Sequence, residues 1–277
     1  MARTAAVYSH APLLLNLEKE GARWELRSTW CNLGLWDTPG CTFRKACEAL
    51  ALKLARAAGL SSTDSVLDIG IGFGDQTALW VDEFNVNNVV AVEHSAAAAA
   101  GARSLLAKYD RVAVFQACAN SLPPNVRQAR YDVVLCLDCA YHFRTRGAFV
   151  DQLASLLRAG GRFAAIDLLP AHATSWFARA LQALVAVLTD IPRANLCSTD
   201  EYTTMLQSAG FSSVSIEKVE CAIFGPLSEH AFAQRKALSD SLTRTQAALL
   251  WMIGCLMGLV ARWRLFDVFV VVARIGT

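Results

Sequence analysis

The 277-residue sequence predicts an α/β protein built on a doubly wound, mostly parallel sheet of seven strands with helical insertions. Three observations carry that prediction. From Ser65 onward, short apolar runs at residues 66–69, 89–92, 112–115, 131–137 and 162–168 are separated mostly by helical patterns of 10 to 15 residues, the rhythm of βαβ units. The first run ends in a turn with glycine at every second position, Gly70, Gly72 and Gly74, where a strand of such a sheet passes into its helix. Two further strand patterns, 211–220 and the valine-dense 266–275, enclose about 45 residues of mainly helical pattern at 221–265.

The remaining elements follow in chain order. Residues 18–40 read as an irregular stretch rich in tryptophan (Trp24, Trp30, Trp36), and 42–59 as an amphipathic helix that Gly59 ends. After the fifth apolar run comes an unusually apolar helical stretch at 175–188. Ser198-Thr-Asp-Glu-Tyr then opens another helix, which Gly210 stops. No repeat, low-complexity linker or charge block marks a second independent domain.

Composition narrows the function classes. The 26 Lys and Arg nearly balance the 24 Asp and Glu, and no dense basic run appears, so no nucleic-acid partner is expected. Hydrophobic residues make up 54% and charged ones 18%, with a mean hydropathy of +0.32, so something apolar is expected to be bound or touched. Nine irregularly spaced cysteines do not form an extracellular disulfide pattern, which points to a reducing, cytoplasmic compartment. No long apolar stretch precedes Glu18, so no secretory signal is expected. The most apolar segment, 247–261, counts 15 residues against the roughly 20 of a bilayer-crossing helix, and is not expected to span a membrane.

The stretch Val66-Leu-Asp-Ile-Gly-Ile-Gly-Phe-Gly-Asp75 is the most informative. Glycine lets the backbone turn sharply and lets a ligand approach without meeting a Cβ, and a helix starting near Asp75 presents free N–H groups to a small anionic or zwitterionic ligand. A dinucleotide fingerprint would need glycine at position 75, where Asp stands, which disfavours NAD. Glu93 closes the next apolar run about 20 residues later, where a carboxylate can accept both hydroxyls of a ribose.

Over roughly residues 30–275 the sequence resembles the class I S-adenosylmethionine-dependent methyltransferases. Asp68, Gly70, Gly72 and Gly74 match that family's D-x-G-x-G-x-G motif around the methionine moiety, and Glu93 matches its ribose-binding acid. Tyr131-Asp-Val-Val-Leu-Cys-Leu-Asp138 is similar to its fourth-strand motif, and Leu157-Arg-Ala-Gly-Gly-Arg-Phe163 to the L-R-P-G-G motif before strand five. The resemblance implies S-adenosylmethionine as cofactor, with Gln76, His94, Leu137 and Trp36 added to the binding residues. One departure stands out: where relatives carry Gly-Asp-Ala before Leu-Pro, with the Asp on the adenine amino group, this chain has Ala117-Cys-Ala-Asn-Ser-Leu-Pro123. Backbone groups of Cys118 and Ala119, or the amide of Asn120, are the alternatives for that contact.

Methyl transfer from a sulfonium needs proximity, alignment, dryness and at most one base. His142, in Asp138-Cys-Ala-Tyr-His-Phe-Arg-Thr-Arg146 after the fourth strand, is the candidate base, with packing against the following helix as its alternative role. The D-x-x-Y-H-F pattern is similar to that of small-molecule O-methyltransferases of natural products, and Asn32-Leu-Gly-Leu-Trp36 to a segment that folds over the cofactor in tocopherol-type relatives. Trp36 is thus a candidate lid and Tyr8 and Tyr141 weaker candidates, while Cys136-Leu-Asp-Cys139 reads as structural and no metal site is expected.

The expected organisation is a lid and helical segment at 1–60, a cofactor-binding core at 61–170, and acceptor-pocket insertions with the last two strands at 171–277. Trp176, Phe177, Arg193, Asn195, Phe224, Trp251 and Met252 are candidate pocket residues, with core packing as the alternative for each. The apolar helices at 175–188 and 247–261 could instead meet a membrane surface or a second copy, since Arg262, Trp263 and Arg264 flank the second. The expected activity is methyl transfer to an oxygen, hydroxyl or carboxyl, of an apolar small molecule. The rivals are N- or C-methylation of a small molecule or a lipid- or quinone-like acceptor, and a non-catalytic cofactor-binding or membrane-associated protein.

Overall fold

A computed structural model describes residues 11–21, 23–172 and 175–276. Its contacts divide the chain into two compact units, one of residues up to Leu50 with Glu220–Arg264, the other of Ala51–Val219 with Leu265 onward.

In the first unit a single 3-10 turn, Ala11–Asn16, leads into an antiparallel hairpin of β1 (Leu17–Glu20) and β2 (Arg23–Leu26), turning at Gly21 with φ +58°. This corrects the irregular stretch expected at 18–40, because four-residue strands carrying Glu18, Lys19 and Glu20 show no apolar alternation. Asn16 ties the chain after the hairpin: its Oδ1 accepts from the Ser28 hydroxyl and the Trp30 N–H, and its Nδ2 donates to the Trp30 carbonyl. Helix α1 (Phe43–Ala58) follows, its residues up to Leu50 counted with this unit and those from Ala51 with the second.

The second unit holds the seven-stranded sheet. Strands β3 (Ser65–Ile69), β4 (Asn88–Glu93), β5 (Val112–Gln116) and β6 (Tyr131–Leu137) alternate with helices α2 (Asp75–Phe84), α3 (Ala96–Leu106) and α4 (Pro124–Gln128). Helix α5 (Arg146–Leu156), β7 (Leu157–Pro170), α6 (Trp176–Leu188), α7 (Thr199–Ser208), β8 (Ser213–Lys218) and β9 (Phe266–Arg274) complete it. The strand order is β5-β4-β3-β6-β7-β9-β8, parallel except for β9, which runs antiparallel to both β7 and β8. The chain leaves β3 toward β4 and returns to β6 on the other side, so the order reverses at β3, where open α/β sheets form a ligand crevice at their carboxyl ends. All five residues of β3 are buried, as a central parallel strand requires.

Strand β7 begins at Leu157, ahead of the expected 162. Leu157 pairs with Tyr131, four residues bulge out, and pairing resumes at Arg162 with Val133. Gly160 takes φ +71°, and a Cβ on Gly161 would stand 2.8 Å from the Arg158 carbonyl, so both glycines are needed for this bulge.

Helices α8 (Phe224–Ala237) and α9 (Arg244–Trp263) belong to the first unit. The reading of 247–261 as too short to cross a bilayer is corrected: a Thr243–Gln246 capping box starts α9 a turn earlier, and the helix reaches 20 residues, long and apolar enough by length and composition. One face of α9 is committed to α8. There Ser228 Oγ donates 2.7 Å to the Gly254 carbonyl, and a Cβ on Gly254 would meet the Phe232 ring at 2.7 Å.

Candidate active site

At the crevice, three glycines answer three demands. Gly70 has φ +73°, and a Cβ there would lie 2.7 Å from Cys139 Sγ, so this position closes the turn against the loop after β6. Gly74, with φ +102°, is the N-cap of α2 and packs on Ala102 and Leu106 of α3. Of the three, Gly72, at φ +56°, is the one whose missing Cβ leaves open space.

Glu93 bridges the loop to the next helix: its Oε2 accepts the Gly72 N–H at 2.9 Å and its Oε1 the Ser95 N–H at 2.8 Å. Each carboxylate oxygen keeps a further lone pair for a hydroxyl. Asp68 differs. It is fully buried, and its oxygens accept from Gln76 Nε2 (2.7 Å), Thr77 Oγ1 (2.7 Å) and Trp80 Nε1 (2.8 Å). The carboxylate thus frames the first turns of α2, and Gln76 is its partner, itself buried. Burial raises the Asp68 pKa to about 7, against the lowering pull of the three donors.

After β5, Ser121 N–H donates to the Cys118 carbonyl and Gln152 Nε2 to the Ala119 carbonyl, each carbonyl keeping a second lone pair. Asn120 Nδ2 donates 2.9 Å to the Thr145 carbonyl, while its Oδ1 is buried with no hydrogen-bond partner among the described residues. His94 is exposed, and Leu137 is buried at the end of β6.

His142 ends a single 3-10 turn, Ala140–His142, and is exposed. Its ring centroid lies 4.3 Å from that of Tyr141, and its Nδ1 is 3.5 Å from the Asp190 carbonyl. Protein atoms around the ring displace water and hold its pKa below the ordinary value, with Asp190 and Asp167 pulling the other way. Tyr141 is buried and donates to Asp138 Oδ1 at 2.9 Å; burial and the Asp138 charge keep its phenol well above the usual range, so it serves as a donor. Asp138 itself sits at φ +56°.

The sequence reading missed a buried polar network beside this loop. Arg146 Nε lies 2.9 Å from Asp167 Oδ2 with both side chains fully buried, and the guanidinium also donates to the carbonyls of Leu168 and Asn195 and to Cys197 Sγ. Tyr202 covers it, ring centroid to Cζ 4.8 Å. One signal was available: Asp167 interrupts an otherwise apolar strand, and a charge there needs a partner. Asn195, a candidate for the acceptor pocket or for packing, takes the packing role: it is 1% exposed with its amide fully engaged in this network, because its loop folds onto residues 141–146. Arg193, Trp176 and Phe177 are exposed.

In the first unit, Trp36 Nε1 donates to the Leu33 carbonyl at 3.0 Å, and its ring packs on His230 and Phe43 with centroids 5.5 and 6.2 Å away. Asn32 closes this turn by accepting the Gly34 N–H. Phe224 is half-buried and Trp251 and Met252 are exposed. Tyr8 lies outside the described residues.

Comparison with known proteins decides the family. A methyltransferase-domain family profile matches residues 66–161. Over 190 residues the chain is 30% identical to 27-O-demethylrifamycin SV methyltransferase of Amycolatopsis mediterranei, spanning 67% of this chain and 68% of that protein. The chain belongs to the class I S-adenosylmethionine-dependent methyltransferases. This methyltransferase is also 27% identical over 253 residues to erythromycin 3''-O-methyltransferase of Saccharopolyspora erythraea, covering 88% of this chain and 81% of the relative. Its fold is that of a mycolic acid cyclopropane synthase solved with S-adenosylhomocysteine and CTAB, at a TM-score of 0.73, 18% identity and coverage of 98% and 97%. It is an enzyme whose methyl donor is S-adenosylmethionine and whose acceptor is a small molecule.

Proposed function

We propose that this methyltransferase moves the methyl group to a hydroxyl oxygen of an apolar natural product, in line with the O-methylation that the names of two relatives give for theirs. The observation that carries the cofactor assignment is the Gly72 turn: open above its Cα and fixed by Glu93, next to a buried acceptor, Asn120 Oδ1, that lacks a partner. When bound, S-adenosylmethionine supplies an electrophilic methyl on a sulfonium.

The chain's residues do the rest. The free lone pairs of Glu93 accept the two ribose hydroxyls, and Asn120 Oδ1 accepts from the adenine amino group in place of the missing family aspartate. His142 takes the proton of the acceptor hydroxyl as the oxygen attacks in line; its lowered pKa keeps the imidazole neutral, and so basic, at neutral pH. The apolar composition, and the exposed Trp176, Phe177, Val187 and Leu188 of α6, support an apolar acceptor.

Calorimetry with S-adenosylhomocysteine tests the cofactor site. Binding at micromolar strength or better is expected, and Glu93→Ala should weaken it by roughly 10- to 100-fold, the worth of a charge-assisted hydrogen bond. Unchanged affinity would remove the ribose assignment. For the base, His142→Ala should lower turnover about 10²- to 10⁴-fold while cofactor affinity stays put. In the wild type the rate should rise with pH through an imidazole pKa below 6.5.

A further inference from the structure

One side chain of the loop that follows α6 holds the loop carrying His142 at three points. Asn195 Nδ2 donates one hydrogen to the Tyr141 carbonyl and the other to the Phe143 carbonyl, both at 2.8 Å, so the two bonds bracket His142 on either side. Its Oδ1 accepts the Arg146 N–H at 2.8 Å, which closes the far end of the same loop. The Asn195 backbone is equally fixed: its carbonyl accepts from Arg146 Nη1 at 2.9 Å, and its N–H donates to Pro192. No rotamer of this buried amide can leave without stranding polar groups in the interior.

The same segment also faces the imidazole. Asp190, at φ +55° just past the end of α6, turns its carbonyl toward His142 Nδ1 at 3.5 Å, while its carboxylate pairs with Arg144 at 2.6 Å. The Ile191 N–H holds this turn to the Ala186 carbonyl of α6 at 2.8 Å. A carbonyl can only accept, so a hydrogen bond at this contact requires the tautomer protonated on Nδ1, with the lone pair on Nε2.

We propose that Asn195 is the positioning residue for His142: by clamping the carbonyls of Tyr141 and Phe143 it holds the imidazole against the Asp190 carbonyl, which selects the tautomer whose Nε2 is free to take the acceptor's proton. This rests on the reading of His142 as the base. It also gives the residues between α6 and α7 a role in chemistry that no sequence motif marks.

Charged and titratable groups around the ring are Asp190 and Arg144 on the loops, Asp167 on β7, and Tyr141 and Asp138 beside it. Asn195→Ala leaves all of them in place. It should lower kcat roughly 10- to 100-fold with S-adenosylhomocysteine affinity within about twofold of wild type, the outcome expected when a catalytic group is misplaced. The acidic limb of the rate profile should move up toward the ordinary histidine value as the loosened ring gains water. In a His142→Ala background the same substitution should cost nothing further in kcat.

Nitrogen-resolved NMR on histidine-labelled wild-type protein, with His142→Gln to assign the signal, tests the tautomer without a clamp variant, so failure of Asn195→Ala to fold would not stall the question. A neutral His142 protonated on Nδ1 is expected. Protonation on Nε2, or wild-type kcat and pH profile in a folded Asn195→Ala, overturns the proposal. If instead His142→Ala itself retains full activity, it is the underlying assignment of the base that fails.

Discussion

Two carboxylates are fully buried in the sheet unit, Asp68 on β3 and Asp167 on β7, and the chain keeps them in opposite ways. Asp68 has three uncharged donors, all from α2, and no cation. Asp167 has the Arg146 guanidinium at 2.9 Å. Burial alone would lower the Arg146 pKa, and the Asp167 charge more than reverses this, so the guanidinium is held as a cation. Neutral donors only partly offset desolvation, which leaves Asp68 titrating near neutrality; a cation supplies what water took away, provided it never leaves. The first arrangement tolerates a change in protonation, the second tolerates no missing partner.

Removing that partner is the largest way to break the contrast. Arg146→Met leaves Asp167 buried without a cation and frees Asn195, and unfolding free energy in urea should fall by about 3–5 kcal/mol, with much of it regained in Arg146→Met combined with Asp167→Leu. A loss under about 1 kcal/mol would mean the pair is not desolvated as the structure has it.

Next in size is a pH effect. The folded pKa of Asp68 is raised to about 7 from an unfolded value near 3.9, so between those pH values the folded protein binds more protons than the unfolded one. Stability from this group is full below pH 4, falls as pH rises, and is lost above 7, about 4 kcal/mol in all. Asp68→Asn can keep the cluster, since Gln76 can rotate its amide to accept from the new one. The difference in stability between Asn variant and wild type should therefore grow in favour of the variant from pH 4 to 8; a flat difference would show that Asp68 does not titrate in that window.

The smallest effect sharpens the same point. Trp80→Phe removes one of three donors and should cost about 1–2 kcal/mol at neutral pH, less at pH 4 where the acid is protonated. Equal cost at both pH values would argue that the indole acts through packing alone.

These clusters also mark where the sequence could be read. The strands from β3 to β6 were legible because an apolar run of four to seven residues between helical patterns has few other readings, and the glycine turn because its spacing is local. The hairpin at Leu17–Leu26 was not, its strands being short and charged. For Asn195 the sequence leaves pocket lining and packing both open, because an asparagine after an apolar helix carries no trace of its partners, which lie 49 to 54 positions away. Asp68 was recognised by its motif while its work, framing α2, depends on Trp80 twelve residues on.

Gly70 and Cys139 bear on how this enzyme can change over time. The space a methyl group would need at position 70 is filled by the sulfur of residue 139, which donates to the Ile69 carbonyl at 3.2 Å. The two positions are therefore one shared volume, and substitutions there have an order: a smaller residue at 139 has to come first before anything larger than glycine can be tried at 70, and even then the left-handed backbone adds its own cost of about 1 kcal/mol. A library that varies these positions singly would miss the step at 70, while one that varies them together would open a path that the individual replacements conceal.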